Sequence, residues 1–408
     1  MEIRAITFFT QLPAHASLQQ MQQHIAPLGK QAMQIRKLFT EAGFAVQSLR
    51  LATQPLEQLL PRGATTEQLA TFARQYEQTA SEAGFKHMAL GTLGASSTTG
   101  DKRLDTGLLK QLLARLPAVI SATDWIFTSV QLADQTAGFK AELLPLAAQV
   151  VIDNAPMKAD GFGNLRYCMV ANMPAFSPFF PAAWHDGNSP SAFSIAIESA
   201  DTVVDLLESI DGAEERWLSA PALTASFNAL GKKLDSLGSK AATLNGLEYR
   251  GIDMTPSPYP STPRSFGRIV ELLTNEPFGG PGTISAVALI KQSLDAAEFQ
   301  RAGYCGIMLL PLEDAVLAES AKTQGFGIST LQACSAVGAI GLDVIPVSGN
   351  LSQNQVEGLM RDTALLAMAL DKPLTVRLLP IPGLQAGELT KFNFDYFAST
   401  RIFELPGH

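Results

Sequence analysis

Strand-like and helix-like runs alternate along almost the entire chain, and this alternation restricts the accessible folds more than any other feature of the sequence. Residues 3–9 (IRAITFF) read as a strand, and residues 31–42 follow with Ala32, Ile35, Leu38 and Phe39 at helical spacing. Residues 65–84 make a clearer helix: Thr65 and Gln68 form a capping box, Leu69, Phe72 and Tyr76 share a face, and Gly84 stops it. Further strands are predicted at 86–92, 125–132, 165–172, 191–198, 247–254, 306–312, 342–347 and 374–379. Helices fall near 105–116, 141–152, 202–210, 223–237, 330–337 and 353–370. Strands joined through helices pair in parallel, because the crossover returns the chain in the same direction. The pattern predicts an α/β fold, and roughly ten strands suit a large α/β barrel with its helices outside. Segments 212–215 and 238–245 read as surface connections within one continuous domain over residues 1–408.

Material for a large core is present: 46% of residues are hydrophobic and only 17% charged, which excludes a disordered chain. A formal charge of −8 argues against a nucleic-acid or membrane partner, since phosphate attraction needs clustered Lys and Arg. It leaves room for a small polar or anionic metabolite bound locally. No run approaches the roughly 18 apolar residues of a membrane helix. The opening MEIRAITFFTQLPAHASLQQ lacks the basic and apolar regions of a secretory signal. Cys168, Cys305 and Cys334 are too few and too scattered for a disulfide framework or a zinc knuckle. A cytoplasmic protein is expected, and a homodimer is its expected assembly.

Candidate chemistry concentrates in residues 251–285, GIDMTPSPYPSTPRSFGRIVELLTNEPFGGPGTIS. A strand ending in Asp253, followed by Thr255 and Ser257, projects oxygens at its carboxyl end, which faces the ligand crevice in parallel α/β folds. Pro256, Pro258, Pro260 and Pro263 stiffen the loop. The plainer reading is that Asp253 and Ser257 satisfy turn backbone. Arg264 is predicted in the first turn of a helix that has Pro263 at its first position, where a cation opposes the helix dipole unless an anion lies close. Gly279, Gly280 and Gly282 let backbone approach a ligand, and Thr283 or Ser285 can open a helix whose free N–H groups attract an anion. An ordinary glycine turn accounts for the same residues.

Other polar groups lie elsewhere. Residues 91–100 form a polar turn that is either a pocket wall or a solvated loop. His185, beside Asp186 after an aromatic run, is the histidine best placed for acid–base work, although such a pair also serves as a loop cap. Asp343 and Arg377 sit inside apolar strands, so they are either one buried ion pair or walls of a polar cavity shared with Asp253. No metal-ligand spacing is present, and no cofactor is indicated.

Several segments together resemble the DUF711 family, also called UPF0210, an uncharacterised bacterial and archaeal group. They are IRAIT, SPFFPAAWHDG, GIDMTPSPYP, FGGPGTISAVALI, GLDVIPVSGN and KPLTVRLLPIPG, in order over nearly the whole chain. The resemblance implies a ten-stranded barrel related in shape to glycyl-radical enzymes such as pyruvate formate-lyase. It does not imply their chemistry. The run STRIFELPGH lacks their Arg-Val-x-Gly-Tyr type motif, and no adjacent cysteine pair exists. Where many relatives carry a cysteine before the GLD motif, this chain has Gly338, with Cys334 earlier.

The expected function is an enzyme for a small polar or anionic metabolite. In that reading Asp253, His185 and Asp343 are catalytic, while Ser257, Arg264, Gly279, Gly280, Gly282, Thr283 and Arg377 bind substrate. A noncatalytic metabolite-binding or regulatory protein and a structural oligomer component are the competing readings.

Overall fold

The computed structural model describes residues 2–95, 105–323 and 325–405, so part of the polar turn predicted at 91–100 lies outside the described residues. Among the described residues there are eleven strands: β1 (Glu2–Phe9), β2 (Ala45–Val46), β3 (Leu49–Ala52), β4 (His87–Ala89), β5 (Ile126–Asp134), β6 (Gly138–Phe139), β7 (Tyr167–Ala171), β8 (Ala192–Glu198), β9 (Glu248–Asp253), β10 (Gly341–Ser348) and β11 (Leu374–Ile381). They form one sheet in the order β10-β11-β7-β5-β4-β3-β1-β8-β9, with β2 beside β1 and β6 beside β5.

Direction changes twice along this path. Neighbours from β7 to β1 are parallel, whereas β1–β8 and β7–β11 are antiparallel. The amino ends of β1, β3, β4 and β5 therefore lie at the same level as the carboxyl end of β9. The hydrogen-bonded path is open, with β9 and β10 at its ends, so the expected closed barrel is not met as a continuous ladder. The predicted strand 306–312 is not one. Around it the chain makes only two isolated bridges, Arg301 to Ile252 of β9 and Ile307 to Ala339 just before β10.

Outside the sheet the helices pack on one another in sequence around the molecule. Leu18–Glu41 touches Thr66–Glu82 and Ala220–Asn245. The latter meets Thr283–Asp295, which meets Ile328–Val337. That helix meets Gln353–Leu370, which packs on Leu144–Asn154, and Leu116–Ala122 returns to Thr66–Glu82. Helix Leu18–Glu41 starts earlier than predicted because Ser17 and Gln20 form a capping box. Met21, Ile25, Leu28, Ala32, Ile35 and Phe39 then make one buried stripe through the polar Gln-rich run. The predicted connection 238–245 is instead the last part of helix Ala220–Asn245. Gly238 sits there because a Cβ would lie 2.5 Å from the Tyr249 ring. Arg264 belongs to a short 3-10 turn, Thr262–Arg264, and the following α-helix, Phe266–Thr274, is capped by Ser265. Of four buried apolar clusters among the described residues, the main one extends from Ile3 to Phe403. Among the described residues no helix is long and apolar enough to cross a membrane.

Candidate functional site

Irregularities in the strands place charged side chains in one cavity of about 240 Å³. On the β1–β8 ladder Ile3 pairs with Ile197 and Ala5 with Ala196, which makes Arg4 the extra residue of a bulge. On the β10–β11 ladder the register shifts between Leu342 and Ile345, and Asp343 and Val344 together oppose Arg377. A bulge re-aims side chains that strand alternation would otherwise send elsewhere. Val344 has φ 51°, a conformation that a β-branched residue holds only where its surroundings impose it.

Two of the cavity's guanidinium groups are paired. Arg377 Nε donates to Asp343 Oδ1 at 2.6 Å and Nη2 to Oδ2 at 2.9 Å, while Nη1 donates to the Leu165 carbonyl at 3.1 Å. Burial pushes the Asp343 carboxyl up, and Arg377 pulls against it. The Arg4 guanidinium donates to Glu313 and to the Ser257 hydroxyl. It also lies 4.0 Å from Glu198, which is in turn paired with Arg264.

Asp253 is braced by the chain around it. Oδ1 accepts from the Thr255 hydroxyl, the Thr255 N–H at 3.2 Å and the Cys305 N–H at 3.1 Å, and Oδ2 accepts from the Tyr304 N–H at 3.0 Å. Burial raises this carboxyl, and those donors oppose the rise. Gly303 makes the close approach possible: its φ is +67°, and a Cβ would lie 2.3 Å from Asp253 Oδ2. The carboxylate thus ties the end of β9 to residues 303–305.

Arg50 differs from both of these arginines. Its Nε donates to Ser48 Oγ at 3.1 Å and its guanidinium lies 5.3 Å from the Phe180 ring, yet it has no ion-pair partner among the described residues. Burial, and then Arg4, pull its pKa down to about 9, with Glu313 opposing and Arg377 adding to the fall. His87, the Cα partner of Arg50 across β3 and β4, is also in the cavity wall. Burial, then Arg50 and Lys86, hold it at about 3, so the imidazole is neutral. Its Nδ1 has no hydrogen-bond partner among the described residues.

Of the residues predicted from sequence, the structure gathers Asp253, Ser257, Asp343 and Arg377 around this cavity. His185, Arg264, Gly279, Gly280, Gly282 and Thr283 are not among its lining residues. His185 is fully buried, with Nδ1 accepting the Gly187 N–H at 2.9 Å and Nε2 bonded to the Pro190 carbonyl at 3.2 Å. Both ring nitrogens are used in holding the loop. Arg264 is paired with Glu2 at 3.0 Å and with Glu198, and stacks 4.2 Å from Tyr259. At the glycine turn the Gly279 N–H donates to Thr283 Oγ1 at 2.9 Å and the Gly280 N–H to the Pro277 carbonyl at 3.0 Å, so these two groups are taken within the turn. Arg4, Arg50, His87 and Glu313 also line the cavity and were not singled out from sequence. The available signal was a charge flanked by apolar residues, as in IRAIT and SLRLA.

No group of three or more potential metal-binding side chains occurs among the described residues. The cavity holds four cationic side chains, three carboxylates and a neutral imidazole, next to the aromatic residues Trp125, Phe127, Phe179 and Phe180. Arg50 presents to it a cation without an ion-pair partner among the described residues, and Asp343 and Ser257 are among its polar lining.

The chain is similar throughout to proteins of one family. A UPF0210 protein of Pyrobaculum islandicum is 26% identical over 401 residues, covering 95% of this chain and 87% of that protein. UPF0210 proteins of Desulforudis audaxviator and Carboxydothermus hydrogenoformans are 26% and 25% identical, over 86% and 88% of this chain and 78% and 79% of their own lengths. The sequence pattern of the DUF711 family, described as Uncharacterised ACR, matches residues 1–393. With its sequence matched over nearly its full length, the chain belongs to the DUF711 (UPF0210) family.

Proposed function

We propose that this protein is an enzyme acting on a small anionic metabolite bound in the cavity. The observation that carries the proposal is Arg50, a half-buried guanidinium lining a cavity in which the other two arginines already have carboxylate partners. An unpaired buried charge is unfavourable, and a bound anion would relieve it. The metabolite would lie between Arg50 and the facing Asp343 and Ser257. In this reading Asp343 transfers protons, with its carboxyl raised by burial and oriented by Arg377. Asp253 holds the wall in shape. The reaction is closed-shell in this proposal, since no cysteine is among the cavity-lining residues and burial pushes Cys168, Cys305 and Cys334 up to about 12.

The barrel is part of the same proposal. Cavity residues come from both ends of the sheet path, residues 301–307 bridge β9 and the approach to β10, and the outer helices follow one another around it. The test is a thermal-shift screen of small carboxylates and phosphate esters, with mass analysis of each stabilising compound. An anion that stabilises the wild type, does not stabilise Arg50→Gln, and is converted by the wild type but not by Asp343→Asn is the expected result. A hit recovered unaltered would remove the enzyme and leave a binding protein. No stabilising anion at all would remove the site.

A further inference from the structure

Arg50 stands at one end of a continuous series of rings. Phe180 lies under its guanidinium, with ring centroids then 5.4 Å from Phe180 to Phe127, 5.5 Å from Phe127 to His87 and 5.5 Å from His87 to Trp125. All four ring residues line the cavity. The strands account for the arrangement: Arg50 and His87 are register partners on β3 and β4, Phe127 lies at the start of the neighbouring β5, and Trp125 immediately precedes that strand. Interplanar angles of 71° to 80° show each ring meeting the next edge to face. A further ring fits such a wall by the same edge-to-face or offset contact.

Arg50's hydrogen-bonding capacity limits the anion. With Nε committed to Ser48, the two terminal nitrogens remain, and their planar fork matches one carboxylate bidentately. Charge points the same way. Of the three lining arginines, Arg50 alone has no carboxylate partner among the described residues, and a single negative charge matches it. The cavity, about 240 Å³, falls below the range of about 300–1,000 Å³ usual for drug-sized ligands. The occupant is correspondingly small.

We infer that the metabolite is a small monocarboxylate carrying a planar ring, with its carboxylate on Arg50 and its ring against the wall formed by Phe127, His87 and Trp125. This rests on the anion site proposed above and adds the chemical class of the ligand. His87, neutral and with Nδ1 unpartnered among the described residues, lies beside the carboxylate position.

The experiment is calorimetric titration of the full-length protein with benzoate, cyclohexanecarboxylate, propionate and phenyl phosphate, repeated on Trp125→Ala and Arg50→Gln. Trp125 is 46% exposed, so its replacement leaves the core intact. Benzoate is expected to bind most tightly. Trp125→Ala should weaken benzoate by about threefold to tenfold and leave propionate unchanged. Arg50→Gln should weaken every carboxylate by about tenfold to a hundredfold, and Arg50→Lys should recover part of that loss. Phenyl phosphate binding through Arg50 more tightly than benzoate, or a Trp125→Ala loss equal for benzoate and propionate, would overturn the inference while the anion site survived. Absence of any Arg50-dependent binding would overturn the anion site itself.

Discussion

Two walls of one cavity handle buried charge in opposite ways. On the β10–β11 wall Arg377 and Asp343 form a bidentate pair, and a backbone carbonyl takes a third guanidinium donor. On the β3–β4–β5 wall Arg50 has a serine and a ring for company, and the neighbouring histidine is held neutral. A paired buried charge is held in place by its partner, and breaking the pair strands the other group in a medium that solvates it poorly. An unpaired one is where the proposed anion would bind. The same residue type thus has two roles, and the presence or absence of a nearby carboxylate separates them.

The sharpest way to break this comparison is to remove one member of the pair. Arg377→Gln is expected to destabilise the protein by about 3–5 kcal/mol, read as a shift in the urea unfolding midpoint. Replacing both members with apolar residues, Arg377→Met with Asp343→Leu, should restore most of that loss, because no charge is then stranded. A single variant as stable as wild type would mean that the pair is not structural.

The second effect lies on the other wall and depends on pH. His87 sits at about 3 in the folded protein, against 6.5 for the free side chain. Between those values the unfolded chain binds a proton that the native state refuses. The stability associated with this residue is therefore complete above about pH 6.5 and falls as pH drops toward 3. His87→Gln should lose stability more slowly than wild type below about pH 6, the difference approaching about 1.4 kcal/mol per pH unit. Parallel unfolding curves for the two proteins under acid would show that this wall accepts a second cation.

These contrasts also show which part of the site was legible in sequence. Asp343 and Arg377 stood out as charges inside long apolar strands, and Asp253 as an acid at a strand's carboxyl end. The rule that ligands gather at carboxyl ends holds for β9 but fails for β1, β3, β4 and β5, which contribute their amino ends because the sheet is mixed. Arg4, Arg50 and His87 were missed for that reason. β3 is four residues long, too short for alternation to identify, and the bulge at Arg4 depends on a partner strand nearly two hundred positions away. His185 and the glycine turn have the residue types of a site but lie outside this cavity: both His185 ring nitrogens are bonded within its own loop, and the Gly279 N–H is taken by Thr283. The β/α alternation did predict most of the strands and helices. What it could not convey was strand direction, which decides which ends meet.

A third and smaller effect sharpens the comparison by reversing its sign. Removing a charge from the unpaired wall should help the empty protein, in contrast to the loss at Arg377. Arg50→Gln is expected to raise stability without ligand by on the order of 1 kcal/mol, measured by urea unfolding in a buffer free of carboxylates. A loss of several kcal/mol instead would place Arg50 with the structural arginines and remove the distinction between the walls.

The smallest effect concerns Lys86, the fourth cation of the cavity lining. It precedes β4, is exposed, and has no ion-pair partner within 4 Å among the described residues. An exposed charge acts through water and is screened over about 10 Å at 0.1 M salt. Lys86→Gln should therefore weaken carboxylate binding by less than about threefold, and the loss should fade as salt rises. The Arg50→Gln loss should persist, because a buried contact is screened much less. Titrations of both variants at low and high salt separate these behaviours. A Lys86→Gln loss as large and as salt-resistant as that of Arg50→Gln would mean that two cations share the anion, and that the focus on Arg50 is wrong. A small, screened loss leaves Arg50 as the one lining cation whose missing partner a ligand must supply.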